Sequence, residues 1–228
     1  MAAVIKAQAV DRNGTPQRLL DAALEIFAER GFHGASLRDI CERAGANGAA
    51  ANFHFQGKEK LYRAVLEYAA RRLCVQPLDD EANATERTPW RKLHAAIKSL
   101  FQRLTLGEDS ALLIRLIARE LMEQSAAFDC VAAALRTHAE QLEEPLRALH
   151  GPGTSRDYAR LCAFSVVNEC VFLCAAQQSL HRLHPELGKQ QTFPEQLITR
   201  VMARERRVTE QLQRLGKPKA RSSTINHS

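Results

Sequence analysis

The chain has few aromatic residues, 6% of its 228, and no run rich in Val, Ile, Thr and Tyr. That scarcity excludes a sheet-rich architecture. No apolar run is long enough for a signal peptide in the opening "MAAVIKAQAV". The most apolar stretch, "AFSVVNECVFLCAA" (163–176), falls short of a bilayer span and carries Glu169. A cytoplasmic protein without a membrane partner is expected. No Gly-rich phosphate loop, nucleophile elbow or His-Glu metalloprotease helix occurs, so neither an enzyme nor a cofactor is indicated. Cysteine pairs of the CxxC kind are missing too. The six cysteines are Cys41, Cys74, Cys130, Cys162, Cys170 and Cys174. In a cytosolic helical protein they read as small buried hydrophobes. Cys170 and Cys174, four apart on one helix face, leave a thiol or metal sensor open.

What is present is Ala, Leu, Arg, Glu and Gln, which favour an all-α fold. The net charge of +6 is unevenly placed. Residues 200–228 hold eight basic and two acidic residues, and the rest of the chain balances at 24 of each. The charge is therefore no argument for nucleic acid by itself. It reads as a solvated helix face followed by a disordered tail, "GKPKARSSTINHS" (216–228).

Helix signals divide the chain. Thr15-Pro16 offers an N-cap and a Pro at the first helical position, and Leu19, Leu20, Ala23, Leu24, Ile26 and Phe27 follow at helical spacing up to Gly31. Ser36 caps a second helix, with Leu37, Ile40 and Cys41 inward, Asp39 at the capping-box position and Gly45 at the end. Asn47 caps a short third helix reaching about His54, and Gly57 opens a fourth reaching about Val75. The acidic "QPLDDEANATER" (76–87) reads as a linker. Thr88-Pro89 repeats the first signal for a helix to about Leu106. Others are expected near 110–124, 126–149, 155–183 and 194–215, with Pro145 kinking or ending the one that holds it. That makes about nine helices by periodicity, with no internal repeat.

Two short helices joined by a Gly turn behind a supporting helix describe a helix-turn-helix. The second of the pair, "GAAANFHF", is mostly methyl groups. Small side chains let its backbone lie close to base edges, and Ala methyls can pack on thymine methyls. Phe53 and Phe55 are too apolar to be free, so at least one should pin this helix to its neighbours. Periodicity alone fits an Ala-rich turn in an ordinary bundle equally well.

The stretch "RLLDAALEIFAERGFHGASLRDICERAGANGAAANFHFQGKEKLYRAVLEYA" resembles the DNA-binding domain of the TetR family of transcriptional repressors. The matching pieces are "A…IFAERGF…S", "I…AG" and "HF…KE.LY.AVL". "ANGAAANFHF" is most similar to the CecR-like branch, and "LIARELMEQSAAFDCVAAALRTHAEQLEEPLRAL" (116–149) resembles that branch's C-terminal domain. The resemblance implies an N-terminal arm (1–15), a helix-turn-helix domain (16–57) and a helical ligand-binding and dimerisation domain (58–215). Helix 58–75 would connect the two. It further implies a ligand-responsive repressor that binds a near-palindromic double-stranded operator as a homodimer. Ser36, Asn47, Gly48, Ala49, Ala50, Asn52, Phe53, His54 and Lys58 would meet phosphates or bases, Lys58 doing so with the backbone N–H groups of its helix N-terminus. Two positions depart from the family. Position 51 is Ala where a larger apolar residue is usual. Position 53 is Phe where Tyr is usual, so a phosphate-contacting hydroxyl is missing.

In this family the later helices form a ligand pocket and a dimer interface, the last two long ones usually making the interface. A few polar groups interrupt wide apolar faces there. Arg115, Arg119 and Glu120 read as an intrahelical surface group, or Arg115 and Arg119 read with Phe101 and Phe128 as pocket lining. Asn168 and Glu169 read as partners of a nearby Arg or a dimer mate, or as ligand contacts. His181 and His184 are spaced for shared metal ligation, though a solvent-facing pair at a helix end is the ordinary reading. The implied effector is a small apolar or amphipathic molecule. The thiol- or metal-sensing repressor remains the alternative.

Overall fold

A computed structural model describes residues 14–74, 88–188 and 193–215. The expected linker at 76–87, the tail at 216–228 and all but the end of the arm lie outside them. The described residues form helices without strands. Four make the first half: α1 (Thr15–Gly34), α2 (Leu37–Ala44), α3 (Gly48–Phe55) and α4 (Lys58–Cys74). Seven follow: α5 (Pro89–Thr105), α6 (Ser110–Glu123), α7 (Phe128–His150), α8 (Arg156–Ala175), α9 (Gln177–Leu183), α10 (Pro185–Gly188) and α11 (Phe193–Leu215).

The caps are built by the side chains expected to build them. Ser36 Oγ accepts from Asp39 N at 3.1 Å. Asn47 Oδ1 accepts from Ala50 N at 2.7 Å, and Thr88 Oγ1 from Arg91 N at 3.4 Å. Gly45 closes α2 in the left-handed region at φ 59°, where a Cβ would be strained. At the first helix the N-cap is Gly14, one residue before the expected Thr15. Gly31 breaks the helical course at φ 70° and ψ 179°, although helical turns continue to Gly34. The Arg119 guanidinium lies against it, and a Cβ there would stand 2.7 Å from Nη1.

Three sequence expectations need correction. α7 runs unbroken through Pro145. The ring removes the donor to the Gln141 carbonyl, but Gln141 is exposed, where water can replace it. The helix expected over 155–183 is two, α8 and α9, divided at Ala176 with no Gly or Pro to mark the break. The expected gap after His184 holds a helical turn, α10.

One apolar core runs through both halves. α1 packs on α2, α3, α4 and α6, and α4 packs on α5, α6 and α7. α4 is also tied by polar contacts along its length. Tyr62 donates to the buried Glu120 carboxyl on α6. Arg63 donates to the Ala126 carbonyl at 2.9 Å, and Tyr68 to Asp109 Oδ2 at 2.5 Å. At its C-terminal end, the Leu73 carbonyl receives Arg103 Nη1 at 2.8 Å and His138 Nε2 at 2.9 Å. These last bonds satisfy a terminal carbonyl that has no intrahelical partner.

His138 and His150 are both buried. Burial holds the His138 pKa below its ordinary 6.5, against the Leu73 carbonyl, which favours the protonated ring. Burial likewise lowers His150, against nearby Glu205. A histidine with a depressed folded pKa lets the unfolded chain bind the extra proton first. Stability is then full above about pH 6.5 and falls as the pH drops below it, by up to about 1.4 kcal/mol per pH unit for each ring. Urea unfolding at pH 7.5, 6.5 and 5.5 should show this loss, and His138→Gln should flatten part of it. An unchanged slope in the variant would contradict the buried neutral ring.

Candidate nucleic-acid interface

At 100° per residue, α3 presents an outward arc of about 140° and an inward one of about 40°. Gly48, Ala49, Asn52 and Phe53 share one arc. Ala51 and Phe55 share the other. Ala51 is 0% exposed and Phe55 packs half-buried on the core, so these two pin the helix. Phe53 does not, since it is 81% exposed. Its ring stands edge-to-face with that of its neighbour His54, at 5.1 Å between centroids. The small Ala51 lets α3 sit close on α1 and α4, which accounts for the missing bulk at that position. The turn after α3 is closed by Gln56 at φ 55°, whose N–H bonds the Asn52 carbonyl at 2.9 Å.

Around this arc stand polar groups of two kinds. Ser36 and Asn47 spend their side-chain oxygens on capping, so they hold α2 and α3 in place. Asn52, His54, Gly48 and Ala49 are exposed, and Ala50 is half-buried. Lys58 stands at the start of α4 with its ammonium 4.5 Å from the centroid of the Phe32 ring. The ring holds the charge beside backbone N–H groups of the α4 first turn that have no intrahelical acceptor. Sequence reasoning passed over Arg38. It is exposed on α2 and lines a cleft of about 520 Å³ with Gly48. The signal was a cation two residues after the Ser36 cap. Arg43 is held at 2.5 Å by Glu25 instead.

The residues proposed for a ligand are scattered. Phe128 and Asn168 line a cleft of about 470 Å³ between α6, α7 and α8, with Leu121, Leu135, Phe164 and Val167. Its polar end carries Arg136, Glu140, Glu143 and Arg160. Phe101 is in the core. Arg115 lines a small separate cavity of about 70 Å³. Arg119 pairs with Glu123 at 3.0 Å and lies 3.5 Å from the Glu29 carbonyl of α1. Glu169 pairs with Arg204 of α11. Glu120 is no surface group: it is 0% exposed and also receives the Ser125 hydroxyl at 3.0 Å. His181 and His184 are both exposed, and His184 Nδ1 lies 3.4 Å from Glu186.

Residues 19–65 match the profile of the bacterial regulatory proteins of the tetR family. Residues 89–211 match the C-terminal domain of the HTH-type transcriptional dual regulator CecR, more than half of the chain. The chain belongs to the TetR family. Relatives of this TetR-family chain include the HTH-type transcriptional regulator SrpR of Pseudomonas putida, 41% identical over 58 residues, 25% of this chain and 27% of that one. The regulator UidR of Escherichia coli (strain K12) is 42% identical over 52 residues, 23% and 26% of the two chains. The matches thus span about a quarter of these relatives' length. The fold is similar to that of a tetR-family regulatory protein from Rhodococcus RHA1, with TM-score 0.63, 17% identity and coverage of 86% and 96%. It is also similar to HlyIIR, a hemolysin II transcriptional regulator, with TM-score 0.54, 20% identity and coverage of 85% and 98%.

The geometry of this TetR-family regulator gives two expected outcomes. Lys58→Ala should weaken binding to every duplex alike and lower the salt slope of affinity by about one unit, the loss of one phosphate contact. If α3 is the DNA-reading helix, Ala49→Glu should abolish specific binding, because Ala49 is exposed on its outward arc. Anisotropy titrations at several salt concentrations check both, and an unchanged slope for Lys58→Ala would remove that lysine from the interface.

Proposed function

We propose that this TetR-family chain is a cytoplasmic, ligand-responsive repressor. A homodimer grips a near-palindromic operator with two copies of α3, and a small apolar or amphipathic molecule in the α6–α7–α8 cleft releases it. The observation that carries the reading is the double duty of α6. Leu121 forms part of the cleft wall, while Arg119 and Glu120 beside it meet α1 and α4. A molecule that prefers one setting of α6 therefore also selects one setting of the DNA-reading half. A ligand with equal affinity for both settings would shift nothing.

Dimerisation rests on α8. This 20-residue helix is long and apolar enough to cross a membrane by length and composition alone, although the apolar stretch 163–176 read from the sequence falls short of a span. One side buries Ala159, Ala163, Val166, Val167, Cys170 and Val171 in the bundle. The other leaves Tyr158, Leu161, Phe164 and Phe172 exposed. A second copy suits that face, because one helix-turn-helix reads too few base pairs for a specific operator. The cysteines favour an organic effector over a thiol sensor. Burial raises the Cys170 thiol and pushes Cys174 up to about 12, far from the reactive thiolate. Among the described residues, no three His, Cys, Asp or Glu side chains gather as a metal site needs.

Two measurements test this. Leu161→Glu with Phe172→Glu should yield monomers in analytical ultracentrifugation, with operator affinity at least tenfold weaker; dimers would refute the α8 interface. Leu121→Trp should fill the cleft. Compounds found by thermal shift on the unmodified protein should then fail to release the variant from DNA, with operator affinity unchanged within about threefold. Normal release would place the effector elsewhere. Phe101→Arg is no substitute, since it would put a charge into the core.

A further inference from the structure

We propose that α3 reads A·T base pairs through their thymine methyl groups, with Phe53 as the specificity-determining residue; this rests on the operator-binding reading above. The outward arc of α3 holds Gly48, Ala49, Asn52 and Phe53, none of them charged. A guanine is most often read by a bidentate Arg or Lys. α3 has neither. What its arc offers is one carboxamide, suited to adenine N6 and N7, and two apolar groups, suited to the thymine C5-methyl.

Phe53 makes the case specific. It is large, 81% exposed, and absent from the core that Ala51 and Phe55 enter. It has no hydroxyl to give a phosphate. Helical periodicity sets it within about 40° of Ala49, one turn on, so methyl and ring form one apolar strip beside Asn52. In water that strip is a cost; against a thymine methyl it removes apolar surface from both partners. Arg38 does not compete for the same base pair. It is on α2 and shares a cleft with Gly48 of the first turn of α3, a residue about 7.5 Å along the axis from Phe53 at 1.5 Å per residue. A guanine read by Arg38 from that end of α3 would therefore be a different base pair from the one facing Phe53.

The test uses the full chain and DNA alone. Duplexes are selected from a random library, and the enriched duplex is then remade with each half-site thymine replaced by uracil, which removes only the methyl. The expected result is an A·T-rich half-site in which at least one uracil weakens binding about fourfold, the worth of one buried carbon. At the thymine whose replacement costs most, Phe53→Ala should bind thymine and uracil duplexes equally, and Phe53→Tyr should retain the preference. Circular dichroism guards against misfolding, which an exposed side chain should not cause. Uracil duplexes bound as well as thymine ones, or a Phe53→Ala loss of equal size on both, would overturn the inference while leaving operator binding standing. No duplex enriched over the library would overturn operator binding itself, and the inference with it.

Discussion

The bond from Tyr62 to Glu120 is the constraint around which the two halves are arranged. A carboxyl group with no exposed surface is costly unless its oxygens are satisfied. Both are: Tyr62 serves one, and Ser125 the other at 3.0 Å. Burial and the adjacent carboxyl raise the phenol's pKa, so Tyr62 remains an O–H donor at any physiological pH. The ring of Tyr62 in turn packs on Phe27 edge-on at 4.7 Å and on Phe32 at 5.0 Å. Phe32 carries the Lys58 ammonium on its face. A single polar contact on α6 thus locates α4, the end of α1 and the cation that follows α3. Any slide of α6 along α4 must either carry these groups with it or leave a buried oxygen unpaired, which favours two discrete settings over a continuum.

α3 depends on this frame because it contributes little of its own. Eight residues with one buried methyl and one half-buried ring would not hold a helix in water. Its caps, Asn47 before and Gln56 after, fix its ends, and α1, α2 and α4 supply the surface it rests on. The absence of Lys and Arg from α3 therefore transfers the demand for precision to the supporting helices. A small displacement of α4 displaces α3 as a unit.

The sequence disclosed what is local. Ser36, Asn47 and Gly45 announce their roles by residue type and spacing, and the pinning of α3 by a neighbouring aromatic was legible, although only the structure distinguishes Phe55 from Phe53. What it concealed is tertiary. Glu120 follows Arg119 in an amphipathic helix and pairs on paper within it; its burial arises only because Tyr62, 58 positions earlier, arrives with a hydroxyl. Phe101 and Phe128 are alike as residues, yet α5 turns the first into the core and the α7 start turns the second into the cleft. The break at Ala176 has no Gly or Pro behind it, so no local rule could place it.

The same reasoning explains a charge in the most apolar helix. Glu169 on α8 pairs with Arg204 of α11, and Arg204 also contacts Glu205 at 2.7 Å. Glu205 is buried 3.9 Å from His150 of α7. Replaced by hydrophobes, these residues could pack as tightly and cost less desolvation. Their use is geometric: the Glu169–Arg204 pair between α8 and α11, together with Gln213 of α11 donating to the Leu149 carbonyl of α7 at 3.1 Å, allows one rotation of α11, whereas an apolar seam would tolerate several. α8 leaves its exposed aromatic and leucine face beyond this polar seam. The seam thus fixes the direction of that face relative to α7, whose Leu135 and Ala139 line the cleft. Through α7 and α6 the same rigid frame reaches Glu120. A surface that joined two copies through α8 would therefore be referenced, contact by contact, to the helices that hold α3, and that is the geometric requirement for setting the distance between two reading helices.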